Sequence, residues 1–521
     1  MKHSPLLFGV LGLVGLGACD PFANFPYRGE VYLDGETWDP RVVAAEDGLY
    51  VRLPEAGRLV RVTDNGQYTQ VDLNGAEPVR MIPTPDATQV LVFSRWPVCE
   101  DPDEKIVLVD DCPEDELFTR AELAIVRDAR QQVAFNLPPH MNALAFSPDG
   151  ATAVAYLDYE VGLDIEIDGI VDLTEVVFVP LAGGDPVSVS IGFSPSNILF
   201  TEDGAKAVIM SRSKVVVVDL AAYRVVVEYP LTLDADQEVD PQDAVLTPDG
   251  RTALVSVAGS NLLYKLDLET KSIDIEDLDG APSDLAVAPD EDATLITYGG
   301  VAQLDILEHD TYELAEPVEL DDPMTDVIHS SGSAVLYSTA GDTYDVYRYD
   351  FASDVLTEYR VANPVEEMFV SEGGLYAVAT LRPEDRYSDG LDEYQDRNWG
   401  LAVANLSDDE MVSFILESQP VGLALVESSA TTFGLLLLEG SDTLLQVDLA
   451  NPSQPVEIDL AAPPTGIGAL PDGRFWITHQ SGLGLVSFLD PEVGEPVPVG
   501  GFALAGLLED DILPRRGGGN D

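Results

Sequence analysis

Residues Pro241 to Leu268 read PQDAVLTPDGRTALVSVAGSNLLYKLDL. A short apolar strand over Asp243–Leu246 runs into Thr247-Pro248-Asp249-Gly250, and a second predicted strand, Thr252–Val257, follows. The polar turn Ala258-Gly259-Ser260-Asn261 leads to a third strand closing on Leu266-Asp267-Leu268. Pro presets φ and Gly accepts positive φ, so Pro-Asp-Gly between two apolar runs specifies a tight turn.

The same pattern recurs on both sides of this stretch, and roughly ten units can be marked. The first spans about 41–73 and turns at Glu46-Asp47-Gly48. The second turns at Thr84-Pro85-Asp86, the third at Ser147-Pro148-Asp149-Gly150 and the fourth at Thr201-Glu202-Asp203-Gly204. After the fifth, quoted above, the turns are Ala288-Pro289-Asp290, Ser330-Ser331-Gly332 and Ser371-Glu372-Gly373. The ninth unit, near Val421–Leu460, has lost its turn chemistry but keeps Leu444–Leu449. The tenth turns at Leu470-Pro471-Asp472-Gly473 and ends near Phe502. No helical periodicity lies between them. Short strands at a fixed period of about 40 residues indicate an all-β chain, a β-propeller of roughly 8–10 repeats with three or four antiparallel strands each. No Pro/Gly/Ser-rich linker divides the chain. One propeller domain is therefore expected over 41–505, followed by a Gly-rich tail over 506–521.

Thr247-Pro248-Asp249-Gly250-Arg251-Thr252, followed by Gly259-Ser260-Asn261 and Leu266-Asp267-Leu268, resembles the YVTN-type repeat of bacterial surface propellers, within the wider WD-like class. Phe146–Gly150 and Leu470–Gly473 match its first half, and Val218-Asp219-Leu220 and Val447-Asp448-Leu449 its second. The name-giving Tyr-Val-Thr-Asn is absent, so the resemblance implies the propeller class rather than that family in particular.

The amino terminus carries a second signal. Lys2 and His3 precede the apolar stretch Leu6–Leu16, which is too short to span a bilayer and has the layout of a signal peptide over residues 1–18. Leu16-Gly17-Ala18-Cys19 resembles the lipobox of bacterial lipoproteins. The resemblance implies that Cys19 becomes the lipidated first residue, with 19–40 as a short tether to the inner or outer membrane. The expected location is the bacterial cell envelope, facing the periplasm or the exterior. In an exported chain the remaining pair, Cys99 and Cys112, is expected to form a disulfide.

The composition is strongly acidic, with 27 basic against 93 acidic residues and a net charge of −66. Such a surface repels nucleic acid and attracts divalent cations or basic partners. It also serves solubility with no specific partner at all.

Three units carry long insertions at one place, between the second and third strands: 95–120, 158–175 and 382–400. Equivalent positions in equivalent units lie on one face of a ring, and long loops on a rigid scaffold concentrate binding residues. The second insertion holds Asp164, Glu166, Asp168, Gly169, Ile170, Asp172 and Glu175. Oxygen donors at positions one, three and five, Gly at six, a backbone carbonyl at Ile170 and acids at nine and twelve follow a calcium-loop pattern. The loop resembles the Asp-rich calcium hairpins of integrin-type propellers, and calcium is its candidate cofactor. Ile165 and Ile167 alternating with acids also fit a plain amphipathic hairpin. Trp96 and Trp399 fall in or beside insertions, where they could meet a partner or anchor their own loops. Arg386 and Arg397 could pair with an anionic ligand or neutralise nearby Asp and Glu.

Catalytic signals are sparse. His3, His140, His309, His329 and His479 show no metal spacing, and there is no Gly-x-Ser-x-Gly, P-loop or dinucleotide motif. The leading expectation is a non-catalytic envelope lipoprotein that binds a protein or glycan through the loops of one face. The alternatives are a propeller hydrolase of lactonase type, with His140 as a base, and a calcium-stabilised adhesion module.

Overall fold

The computed structural model describes residues 30–32 and most of 42–502; the longest internal stretches outside that description are 100–116, 159–173 and 384–396. Ten antiparallel sheets follow one another along the chain, nine of four strands and one of five. No α-helix occurs among the described residues. The sheets are the blades of a β-propeller, and their order matches the ten sequence units. Blade 1 spans Val42–Val71 and blade 10 Pro464–Gly500.

The quoted stretch forms blade 5, with strands Pro241–Leu246, Thr252–Val257, Leu262–Asp267 and Ser272–Asp277. Burial changes from strand to strand. The second strand is buried at every residue, the third through its middle, and the fourth is almost wholly exposed. The cause is the stacking of blades. The two middle strands are covered on both faces by neighbouring blades, so they read as continuous apolar runs. The fourth lies on the outer rim, and the first strands of successive blades touch one another around the axis.

Each of the ten seams holds one apolar cluster. Between blades 4 and 5, Val208, Val215, Val217 and Tyr229 meet Val255, Tyr264 and Leu266. The ring closes in the same way, with Leu49, Val51, Val60 and Val62 of blade 1 packed on Trp476, Val486, Phe488 and Phe502 of blade 10. Among the described residues, no strand from one end of the chain completes a blade begun by the other. The fifth strand of blade 9 is Glu30–Tyr32, which pairs along the inner strand Pro420–Glu427 on the channel side.

The turns from first to second strand in blades 2 to 5 share one hydrogen-bond scheme. In blade 5 the Thr247 hydroxyl donates to Asp249 Oδ1 at 2.7 Å, and Thr252 N–H donates back to Thr247 Oγ1 at 3.1 Å. Asp249 Oδ1 also accepts Arg251 N–H at 2.9 Å. Thr84–Gln89, Ser147–Thr152 and Thr201–Lys206 repeat the scheme. One hydroxyl and one carboxylate thus satisfy groups that a tight turn leaves open. Adjacent turns nest: a methyl group on Gly250 would sit 3.2 Å from Thr201 Cγ2 of blade 4. The tips of the turns in blades 6, 7 and 8, at Pro289-Asp290, Ser331 and Glu372, lie outside the described residues.

The insertion expected over 95–120 is shorter at both ends. Val90–Cys99 and Leu117–Arg127 are paired strands as far as Cys99 opposite Leu117, so this blade carries a hairpin that outruns its neighbours. The alternation of the sequence there (Arg95, Pro97 and Arg120 among apolar residues) hid a strand that continues past the ring.

Two outcomes test this account. Trp476→Ala empties the closing seam and is expected to cost about 3–5 kcal/mol in urea unfolding. Gly150 has φ 64° with open space around it, whereas Gly250 has φ 65° and faces Thr201. Gly150→Ala is therefore expected to cost about 1–2 kcal/mol and Gly250→Ala measurably more. Equal costs would show that the turns do not nest.

Candidate binding face and channel rim

First strands begin, second strands end and third strands begin on the same face of the ring. The connections of blades 2, 3 and 8 that carry the long insertions therefore emerge together. Amide side chains beside the inner strands hold two of them to the channel rim. Asn142 Nδ2 donates to Asp158 O at 2.8 Å, and its Oδ1 accepts Asp158 N–H at 2.6 Å, which fixes the start of the blade 3 insertion. The buried Asn363 donates to Asn398 O at 2.8 Å and fixes the end of the blade 8 insertion. Arg382, at its start, donates to Thr339 O of blade 7 at 2.9 Å and lies 3.5 Å from Glu366.

The rim has two chemically distinct arcs, and its inner strands explain why. In blades 2, 4, 5, 6, 8, 9 and 10 the pairing of first and second strands slips by one residue. In blades 2, 5 and 6 the residue just after the slip reaches the backbone of the next blade. In blades 5 and 6 it is an Asp. Asp243 Oδ2 accepts Leu285 N–H of blade 6, and Asp284 Oδ2 accepts Val327 N–H of blade 7, each at 2.9 Å. Asp326 occupies the corresponding place in blade 7 and accepts Thr325 and Thr339 hydroxyls, the latter at 3.3 Å. In blade 2 the position is Arg80, which donates to Asn142 O of blade 3, while Arg95 donates to Met141 O at 2.8 Å. Arg52 of blade 1 reaches Pro78 O at 3.5 Å. The same backbone slip thus places an acid against N–H groups on one arc and a base against carbonyls on the other.

Burial raises the Asp284 carboxyl, the neighbouring charges of Asp243 and Asp326 raise it further, and the Val327 N–H opposes them; the result is about 7. Burial likewise raises Asp243, against hydrogen bonds from Leu285, Ala244 and Asp284. The turn carboxylates behave oppositely. Hydroxyl donation from Ser147 and Thr201, then backbone N–H groups, hold Asp149 and Asp203 below the usual range.

The expected site residues are distributed as follows. Trp399 is half-buried against the core shared by blades 8 and 9, and its carbonyl accepts Leu416 N–H at 2.8 Å, so it anchors its loop. Arg397 is exposed beside it. Trp96 and Cys99 lie in the paired blade 2 hairpin, while Cys19, Cys112 and Arg386 lie outside the described residues. So do Asp164, Glu166, Asp168, Ile170 and Asp172. Glu175 opens the third strand of blade 3, opposite Ser190. His140 is buried in the turn entering blade 3. His309 bonds Thr294 at 2.8 Å in blade 6, and His479 is held by Ala462 O and Ser487, both at 2.8 Å, at blade 10. These histidines stand in separate blades. Asn142, Asn363 and the rim acids were not singled out from sequence. The repeated Pro-x-Asp at 241–243 and 282–284 was the available signal.

No family model and no curated protein matches this chain. Among solved structures it is similar to a eukaryotic initiation factor, with 11% identity, a TM-score of 0.51, and coverage of 87% of this chain and 95% of that one. A dihydro-heme d1 dehydrogenase NirN in complex with DHE aligns with 14% identity and a TM-score of 0.38 over 70% of this chain and 81% of that one. Likeness at such identity concerns the propeller fold alone.

The rim carboxyls carry a pH dependence. A free Asp titrates near about 3.9, and Asp284 titrates at about 7 in the folded chain. Between those values the folded state holds the extra proton, so this group's contribution to stability falls as pH rises and levels off above about 7. Asp284→Asn is expected to melt higher than the parent at pH 8, with the difference vanishing towards pH 4. A lower melting point at pH 8 would overturn the assignment.

Proposed function

We propose that the chain is an exported, lipid-anchored binding protein that engages another envelope component, a protein or glycan, through the insertion-bearing face of its ring. The observation that carries this reading is that three enlarged connections leave the same face, two of them tied to the channel rim by Asn142 and Asn363. Seven other blades keep that connection short. Rigid roots under long loops reduce the ordering cost of binding, which suits a docking surface. The lipobox resemblance of Leu16–Cys19 supports attachment to a membrane, and the repeat resemblance supports kinship with bacterial surface propellers. A disulfide between Cys99 and Cys112 would close the hairpin of blade 2, since Cys99 ends its ascending strand. The acidic series Asp164–Glu175 is then a candidate calcium loop on the same face. A hydrolase of lactonase type would instead need His and carboxylates converging on the channel mouth.

Two measurements test the proposal. Cys19→Ser is expected to abolish incorporation of an alkyne-tagged fatty acid and to move the chain from the membrane to the soluble fraction. A photo-crosslinking residue at Arg397 is expected to give a discrete adduct in cells, and one at Val456 on the outer rim of blade 9 is not. Adducts from both sites, or from neither, would remove the insertion face from consideration.

A further inference from the structure

The strand Glu30–Tyr32 is added to blade 9 from outside the repeat, and its direction bears on the whole ring. An inner strand has one paired edge and one edge turned to the channel, where N–H and C=O groups stand open. Glu30, Val31 and Tyr32 take that open edge in blade 9, pairing antiparallel with Ala424, Leu423 and Gly422. They also lie against the inner strand of blade 10, Pro464–Ala469. The strand they join, Pro420–Glu427, is the longest first strand in the ring and so offers the most edge. The sequence suits the role: Val31 and Tyr32 favour extended backbone, and Gly29 and Asp34-Gly35 bound the run.

The register fixes the direction. First strands run from the insertion face to the face that carries the Pro-Asp-Gly turns, the turn face. Their antiparallel partner therefore runs from the turn face to the insertion face. Tyr32 stands opposite Gly422, beside the slip that marks the insertion-face rim. Blade 1 then begins at Val42, again on the insertion face. The nine residues between Tyr32 and Val42 can span about 30 Å, enough to reach blade 1 past blade 10 without returning through the channel.

We infer that the amino-terminal segment is threaded through the ring, entering at the turn face and leaving at the insertion face, and that it thereby sets which way the ring faces. Everything before Glu30, Cys19 included, lies to the turn-face side. With a lipid on Cys19, the turn face looks at the anchoring membrane and the insertion loops are presented away from it. The length of the tether holds the ring in that attitude. Residues 20–29 reach at most about 35 Å. Passing the remainder of the inner strand, from Ala424 to Glu427, uses roughly 10 Å of that and leaves about 25 Å. To turn over, the ring would need the tether to cross a blade four strands wide, about 15 Å, and then climb a rim about 20 Å high, which is more than remains. The attitude rests on the lipid anchor proposed above; the threading does not.

Threading is tested in the full-length chain with p-benzoylphenylalanine in place of Tyr32. Irradiation is expected to join it to the inner strands of blades 9 and 10, with the position read by mass spectrometry. Adducts elsewhere, or none, would overturn the threading. Attitude is read by energy transfer from the membrane-incorporated chain to a rhodamine headgroup lipid in phosphatidylcholine vesicles. The donor dye is attached through p-acetylphenylalanine, which leaves the cysteines untouched. At Glu202, exposed on the blade 4 turn, it is expected to transfer roughly twofold or more better than at the exposed Arg397, because a six-residue strand separates the faces by about 20 Å. Equal transfer, or stronger transfer from Arg397, would overturn the attitude. A chain that stays soluble while Tyr32 still crosslinks to blade 9 would remove the lipid anchor and leave the threading standing.

Discussion

Every blade of this ring must have both faces of its middle strands covered at once. The second strand of blade 5 has no exposed residue, and the third strand is nearly as enclosed. Removed from its neighbours, such a sheet would expose two apolar faces to water, at roughly 1.5–3 kcal/mol for each large side chain. A single blade is therefore not a stable unit. Only a closed stack removes the last two open faces. The closing seam carries that burden through side-chain contacts, the apolar packing of Trp476 and Phe488 on blade 1 and the Arg474–Asp64 ion pair beside it.

The two faces of the ring divide the work. On the turn face, one hydroxyl, one carboxylate and a residue with positive φ make a compact cap that nests on the preceding blade. Length is tightly limited there, and the exception at blade 1, where only Glu46 and Asp47 lie between the strands, leaves a cleft at the seam with blade 10. On the other face, second and third strands are joined at the edge of the stack, where a connection can lengthen outward from its root. Chain can be added there without disturbing a seam, as the hairpin of blade 2 shows by continuing its ladder to Cys99 and Leu117.

The scarcity of basic side chains gives those present structural importance. Lys265 lies under the outer strand of blade 5, within 3.1 Å of Asp274 and 2.9 Å of Glu276. Arg61 and Arg474 hold acids at the seams of blade 1, and Arg80 and Arg95 stitch blade 2 to blade 3. Acids outnumber bases by 93 to 27, so the acidic excess of the composition is carried outward even though several basic side chains are exposed. At the channel rim the consequence is local, with an arginine arc over blades 1 and 2 and a carboxyl arc over blades 5 to 7.

The fold was legible in the sequence because a propeller repeats its local chemistry. Thr247-Pro248-Asp249-Gly250 and its counterparts set each turn by interactions within six residues, and the apolar runs mark strands enclosed on both sides. Those facts determine the class, bring the number of units to roughly 8–10 and mark the blades that carry the long insertions, while the count of ten in one ring came from the structure. The sequence could not determine how the ring closes, because the contact of Val51 and Val62 with Trp476 and Val486 joins residues more than 400 positions apart. Nor could it identify the rim. Asp243, Asp284 and Arg80 look like ordinary surface charges until a one-residue slip in the inner strand points them at the backbone of the next blade. The seam cleft is likewise a product of tertiary structure: Glu46-Asp47 is an unremarkable short turn, and only its position opposite blade 10 makes the missing residues a cavity.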